Sequence, residues 1–236
     1  MVRRFPPGLV MYGFTPLDLF AVFFFAVTWA GYGAVMEWSV LGRRGLNNRM
    51  HRYREAWMRE MLRRDMRMVD GQIMGSLQNG TAFFASTSLI AVGGVLALLR
   101  SSQDVMEIFA ALPFGIRTTP GVLEMKIIGL LVIFIYAFFK FAWSYRLFNY
   151  AAILLGATPP AFEAKKPHAK AAAESAARMV TLAGRHFNRG QRAFFFALGY
   201  LGWFASAWVL IVATLAVLIV TAQRQFGPAA RWVIDE

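Results

Sequence analysis

Cysteine is absent from the 236 residues, and histidine occurs only three times. The first absence excludes disulfides, thiolate metal sites, cysteine-ligated iron–sulfur clusters and cysteine nucleophiles. The second leaves little from which to build a metal centre, and no histidine lies in the charge-free stretches where a haem would need one. Negative charge is also scarce, with 13 Asp and Glu against 25 Lys and Arg, a formal net charge of +12. Charge of either sign is missing from Gly71 to Leu99 and from Ala193 to Gln223. No Walker loop, GxGxxG, HExxH or GxSxG occurs, so no motif points to nucleotide, zinc-protease or serine-hydrolase chemistry. What is present is apolar: 58% of residues are hydrophobic and 16% charged, against roughly 45–50% and 25% in soluble chains. That is the composition of a membrane protein.

A bilayer core of about 30 Å takes roughly 20 mostly apolar residues as helix. Four spans meet that requirement, at about 16–38, 73–99, 122–145 and 193–222. The first opens on a cap signature, with Thr15 as N-cap, Pro16 at the first helical position and Asp18 three residues after the cap. The third has an uncharged core, IIGLLVIFIYAFF, of only about 20 Å. It must therefore continue through Lys140, and no Pro or internal Gly interrupts the continuation from Lys140 before Gly156. The sequence thus predicts an all-α polytopic membrane protein, one four-span domain over 1–236, with long basic amphipathic cytoplasmic helical extensions at 41–70 and 146–192.

Sidedness follows from counting Lys and Arg. There are 2 before the first span, 9 from Leu41 to Asp70, 3 from Arg100 to Lys126, 9 from Lys140 to Arg192, and 2 after the last span. The positive-inside rule puts both nine-charge segments in the cytoplasm and both termini on the non-cytoplasmic side, in a cell inner membrane. In the first segment Arg52, Arg59, Arg63 and Arg67 fall on one helical arc, and Met50, Tyr53, Trp57, Met61 and Met68 on another. With His186 and Arg189 of the second segment, these arginines are the candidate contacts for an anion or a lipid headgroup. Intramembrane charge is costly and marks candidate sites. Glu37 and Lys140 fall at matching depths, so they are expected to pair, with Gln78, Asn79, Arg146 and Asn149 completing a polar cluster at the inner side.

Several strings occur together and in order: FTPLDL, RYREAWMREML, AFFASTSLI, YAFFKFAWSYRLFNY and RHFNRGQRAFFFAL. On these, from about Gly13 to Phe226, the chain resembles the bacterial members of an uncharacterised membrane family, domain of unknown function 599. The resemblance implies a four-span integral membrane protein and brings no activity, substrate or catalytic residue.

The functional expectation is a non-enzymatic, oligomeric channel or transporter-like protein with a basic, anion-attracting cytoplasmic face. The alternatives are a membrane scaffold or accessory subunit of a larger membrane complex, and a lipid-interface enzyme. Expected partners are membrane lipids, anionic headgroups included, and further copies of the chain or subunits of a membrane complex. Nucleic acid is not expected as a partner, nor any cofactor.

Overall fold

Thr15 and Asp18 begin the first helix by capping each other. The Asp18 amide donates to Thr15 Oγ1 and the Thr15 amide donates to Asp18 Oδ2, each at 3.1 Å, and Pro16 fills the first turn where its missing N–H costs nothing. The structure, a computed structural model, describes residues 13–111 and 119–227. The expected non-cytoplasmic terminal tails and part of the loop before the third span lie outside the described residues. In chain order the helices are α1 (Pro16–Trp38), α2 (Val40–Arg43), α3 (Leu46–Met61), α4 (Met68–Arg100), α5 (Ser102–Ala111), α6 (Pro120–Gly156), α7 (Pro167–Tyr200), α8 (Gly202–Ala205) and α9 (Ala207–Phe226). A single 3-10 turn, Ala161–Glu163, links α6 to α7, and there is no strand among the described residues.

Four helices, α1, α4, α6 and α9, are long and apolar enough to cross a membrane. The third expected span is one unbroken helix of 37 residues that continues through Lys140 to Gly156. At 1.5 Å per residue it is about 55 Å long, nearly twice a bilayer core. The surplus length of α4, α6 and α7 builds a second layer. In the bilayer-length layer Phe25, Phe134, Phe141, Phe196 and Tyr200 fill the centre of the bundle. In the other layer Met58, Met61 and Met74 pack on Leu147, Phe148 and Ala151 of α6 and on Ala176, Ala177 and Val180 of α7. Alanines on α7 let α3 and α6 approach it closely, and tight packing of this kind sets helix separations at the short end of the usual range. Tyr200 is seated in the same way, because a Cβ on Gly129 would collide with its hydroxyl.

The last expected span, 193–222, is not one helix. Residues up to Tyr200 belong to α7, the chain reverses over 201–206, and α9 starts afresh. Ser206 is extended (φ −168°, ψ 164°) and its Oγ accepts from the Val209 amide, a new N-cap. Gly202 makes the reversal compact: a Cβ there would sit 3.0 Å from Val209. The reason is local: the Ser206 hydroxyl caps a new helix start, and glycine at 202 lets the chain fold back onto Val209.

This reversal changes the topology. Trp203 Nε1 donates to Asp18 at the start of α1, at 2.8 Å, whereas Arg189 bonds Glu37 at the end of α1. The final third of α7 therefore runs the length of α1 in the opposite direction. Helix α9 then returns, so that Gln225 Oε1 accepts from the Asn47 amide just beyond α1. Helices α1, α6 and α9 point one way and α4 and α7 the other. Residues 13 and 227 consequently lie at opposite ends of the bundle. Both outcomes can be read by single-cysteine labelling, which is clean because no native cysteine competes. Gln103→Cys should react from one face of the membrane, and Arg59→Cys and Gln223→Cys from the other; Gln223→Cys reacting with Gln103→Cys would restore the four-pass plan.

Candidate functional site

The end of α1 is where polar groups collect. Met36 is buried there, Glu37 follows it, and α2 turns the chain so that α3 rises against α7. Ser39 Oγ caps α2 by accepting from the Gly42 amide at 3.0 Å, and Asn48 Nδ2 donates to the Gly42 carbonyl at 2.7 Å, which fixes the start of α3. Helix α7 contributes Arg185, Asn188, Arg189 and Arg192 at spacings of three and four, one face of the helix. Between these elements is a pocket of about 170 Å³ lined by Glu37, Trp38, Asn47, Asn48 and His51 together with those four α7 residues.

Among the described residues Glu37 is the only carboxylate lining the pocket. Its Oε1 accepts from Arg189 Nε at 2.8 Å and from Arg192 Nη2 at 2.6 Å, and its Oε2 accepts from Arg189 Nη2 at 2.6 Å. The bidentate Arg189 contact is the strong, directional form of a carboxylate–guanidinium bond. Arg185 is exposed and has no hydrogen bond or ion pair among the described residues. Three guanidiniums against one carboxylate leave the pocket with an excess of positive charge.

His51 adds a neutral wall. Burial and the neighbouring Arg54 and Arg185 guanidiniums disfavour its imidazolium and push its pKa down to about 4. Neutral His51 accepts at Nδ1 from Arg54 Nη1 at 2.9 Å. Burial lowers the Arg54 pKa as well, and its guanidinium lies flat against α7 where a Cβ on Gly184 would come within 2.7 Å of it. Glycine at 184 is therefore required for this approach.

The expected cluster separates into local pairs. Glu37 does not pair with Lys140, whose Nζ instead stands 5.0 Å from the Tyr136 ring centroid. Gln78 Nε2 donates to Asn149 Oδ1 at 2.7 Å and joins α4 to α6, while Asn79 is exposed. Arg146 Nε donates to Tyr150 on its own helix at 2.6 Å. Of the expected anion contacts, Arg189 lines the pocket, and His186 lies one turn away with its Nδ1 buried and without a hydrogen-bond partner. Arg52 and Arg59 are exposed, and Arg63 pairs with Glu60 at 3.0 Å. Arg67 is a structural clamp that donates to the carbonyls of Thr158 and Pro159. The pocket residues missed from the sequence are Asn47, Asn48, His51, Arg185, Asn188 and Arg192. The spacing of 185, 188, 189 and 192 is a signal that could have found the four on α7, whereas Asn47, Asn48 and His51 carry none until α3 is placed against α7.

Two further charges are held structurally. Asp70 is fully buried in the first turn of α4, where Oδ1 accepts from Trp57 Nε1 at 2.7 Å and from Arg64 at 2.6 Å. Lys126, 6% exposed, donates to the Trp203 carbonyl at 2.8 Å near the far end of the bundle. Among the described residues no three His, Asp or Glu side chains converge as a metal site would require.

A helical bundle with four membrane-crossing helices and an arginine-lined pocket where the spans end defines the class: a polytopic α-helical membrane protein. Within it, the chain belongs to the family described as protein of unknown function, DUF599, which matches residues 20–229. No curated protein and no solved structure matches the chain.

The state of His51 has a consequence for stability. Its folded pKa lies below the unfolded value of 6.5, so the unfolded chain takes up the proton first as pH falls. The stability this residue contributes is complete above about pH 6.5 and is lost progressively towards pH 4. The apparent unfolding midpoint in detergent should fall between pH 7 and pH 5, and His51→Gln, which can still accept from Arg54, should flatten that decline.

Proposed function

We propose that this chain is a non-enzymatic integral membrane protein of the channel or transporter-like class, whose basic end attracts and binds an anion at the Arg185–Arg189–Arg192 pocket. The observation that carries the reading is Arg185, a guanidinium without a carboxylate partner beside two that share one. Small anions and phosphoryl groups are the ligands that such a fork of donors recognises. The basic end faces the cytoplasm of a cell inner membrane, because α3, the distal part of α7 and Arg224 near the end of α9 all bring their positive charge there. In this placement residue 13 is outside and residue 227 inside.

An oligomer fits the reading better than a single copy. Aromatic side chains fill the centre of the bundle, so a permeation route belongs between copies of the chain. A non-enzymatic role is supported by the residue inventory of the pocket, which has one carboxylate already committed to two arginines and no nucleophile paired with a base.

A second reading, an accessory subunit that docks on another protein, is favoured by a groove of about 750 Å³ at the far tip of the basic layer. Arg59, Arg63, Lys165 and Lys170 rim it, and Leu62 and Phe162, the latter 83% exposed, supply its apolar surface. That combination suits an acidic, amphipathic segment of a partner.

Proteoliposomes loaded with chloride or phosphate test the first reading. Anion efflux should exceed that of protein-free vesicles, and Arg185→Ala should lower it severalfold without lowering the unfolding midpoint. Efflux at the protein-free level from a folded preparation would reject transport and leave the accessory-subunit reading.

A further inference from the structure

The arginine pocket does not end at the surface of the spans. A second, larger groove of about 830 Å³ adjoins it along α1, a helix long and apolar enough to cross a membrane. The two share Glu37, Trp38, Arg189 and Arg192. The groove wall on α1 is built from small residues, Ala30, Gly31, Gly33 and Ala34, and Trp29 closes it by meeting Tyr136 of α6 edge-on at 5.5 Å. A Cβ at Gly31 or Gly33 would meet no atom within 4 Å, so these glycines do not serve helix packing. They leave open space on a helix where glycine carries a cost of about 1 kcal/mol against alanine. Trp38, 79% exposed, stands at the junction of the groove and the pocket, the depth at which tryptophan is enriched in membrane proteins.

We infer that the two cavities form one amphipathic site for an anionic glycerophospholipid of the basic-side leaflet, its phosphate held by Arg185, Arg189 and Asn188 and one acyl chain laid along Ala30, Gly33 and Ala34, which share one face of α1. This rests on the anion-binding reading of the pocket and names its ligand. The charge balance selects an anionic headgroup: three arginines face the lining's single carboxylate, so a choline cation would be repelled where a phosphate or a phosphatidylglycerol headgroup is attracted. The groove selects a lipid over a soluble anion, because its apolar wall is continuous with the arginines and lies on α1, a helix long and apolar enough to cross a membrane. Arg185 provides a guanidinium not already engaged, so the phosphate need not displace Glu37 to be held.

Native mass spectrometry of the detergent-purified chain, with phosphatidylglycerol and phosphatidylcholine of matched chains, reads the lipid. Protection of the pocket by inorganic phosphate, followed by the unfolding midpoint, reads the headgroup alone. The native chain should retain phosphatidylglycerol at least fivefold over phosphatidylcholine. Arg185→Ala should abolish both that preference and the phosphate protection. Gly33→Leu, whose Cβ would meet no atom within 4 Å and which raises helix propensity, should reduce phosphatidylglycerol retention at least fivefold while phosphate still protects. Equal retention of the two lipids by the native chain would overturn the headgroup assignment. Native retention in a folded Gly33→Leu protein would overturn the acyl groove and leave the anion pocket standing. Phosphate protection undiminished by Arg185→Ala would remove the pocket itself and with it both proposals.

Discussion

The charge on Glu37 has to be met by opposite charge, and the arrangement of the helices follows from how it is met. A carboxylate at the end of a membrane helix, three-quarters removed from water, costs several kcal/mol if left alone. Arg189 and Arg192 answer it from α7, and they can do so only if α7 runs beside α1 rather than through a loop outside the bilayer. The rest of α7 then leads to Trp203, which returns to Asp18 at the beginning of α1. The last third of α7 and the turn after it are thus pinned to the two ends of α1, by charge at one and by an indole–carboxylate bond at the other. The reversal at 201–206 and the antiparallel return of α9 follow from that pinning.

The same constraint creates the site. Two arginines are committed to Glu37, and the helical repeat that brings them there also delivers Arg185 and Asn188 one turn earlier. A structural ion pair and a ligand pocket share one helix face, and the pocket has surplus positive charge because the structural role uses one carboxylate for two guanidiniums. His51 stays uncharged beside it, and its neutrality lets Arg54 lie against Gly184 without further crowding of positive charge.

Much of the fold was legible in the residues. The Thr15–Asp18 cap, the starts of the first three spans and the passage of α6 through Lys140 all follow from local patterns, which depend on neighbours a few positions away. The fourth span was misread because absence of charge reports that a stretch can be buried and is silent on whether it runs straight or folds back. Its turn is written in Gly202 and Ser206, residues that also occur in uninterrupted membrane helices. The run of α7 beside α1 was hidden for the opposite reason: Arg185, Arg189 and Arg192 make that stretch read as an extension outside the bilayer, although Glu37 satisfies two of them. Depth placed Glu37 and Lys140 at one level. It carried no information about which helix each one faces, and that azimuth decided the pairing.

The central claim is that Glu37 and the α7 arginines act as one unit that sets the packing of α1. A double-mutant cycle with Glu37→Gln and Arg192→Met, measured as unfolding free energy in one detergent, tests it directly. The account predicts a coupling of about 1–2 kcal/mol for this pair and less than about 0.5 kcal/mol for Glu37→Gln with Lys140→Met. Additive losses for Glu37 and Arg192, with the coupling found at Lys140 instead, would contradict it.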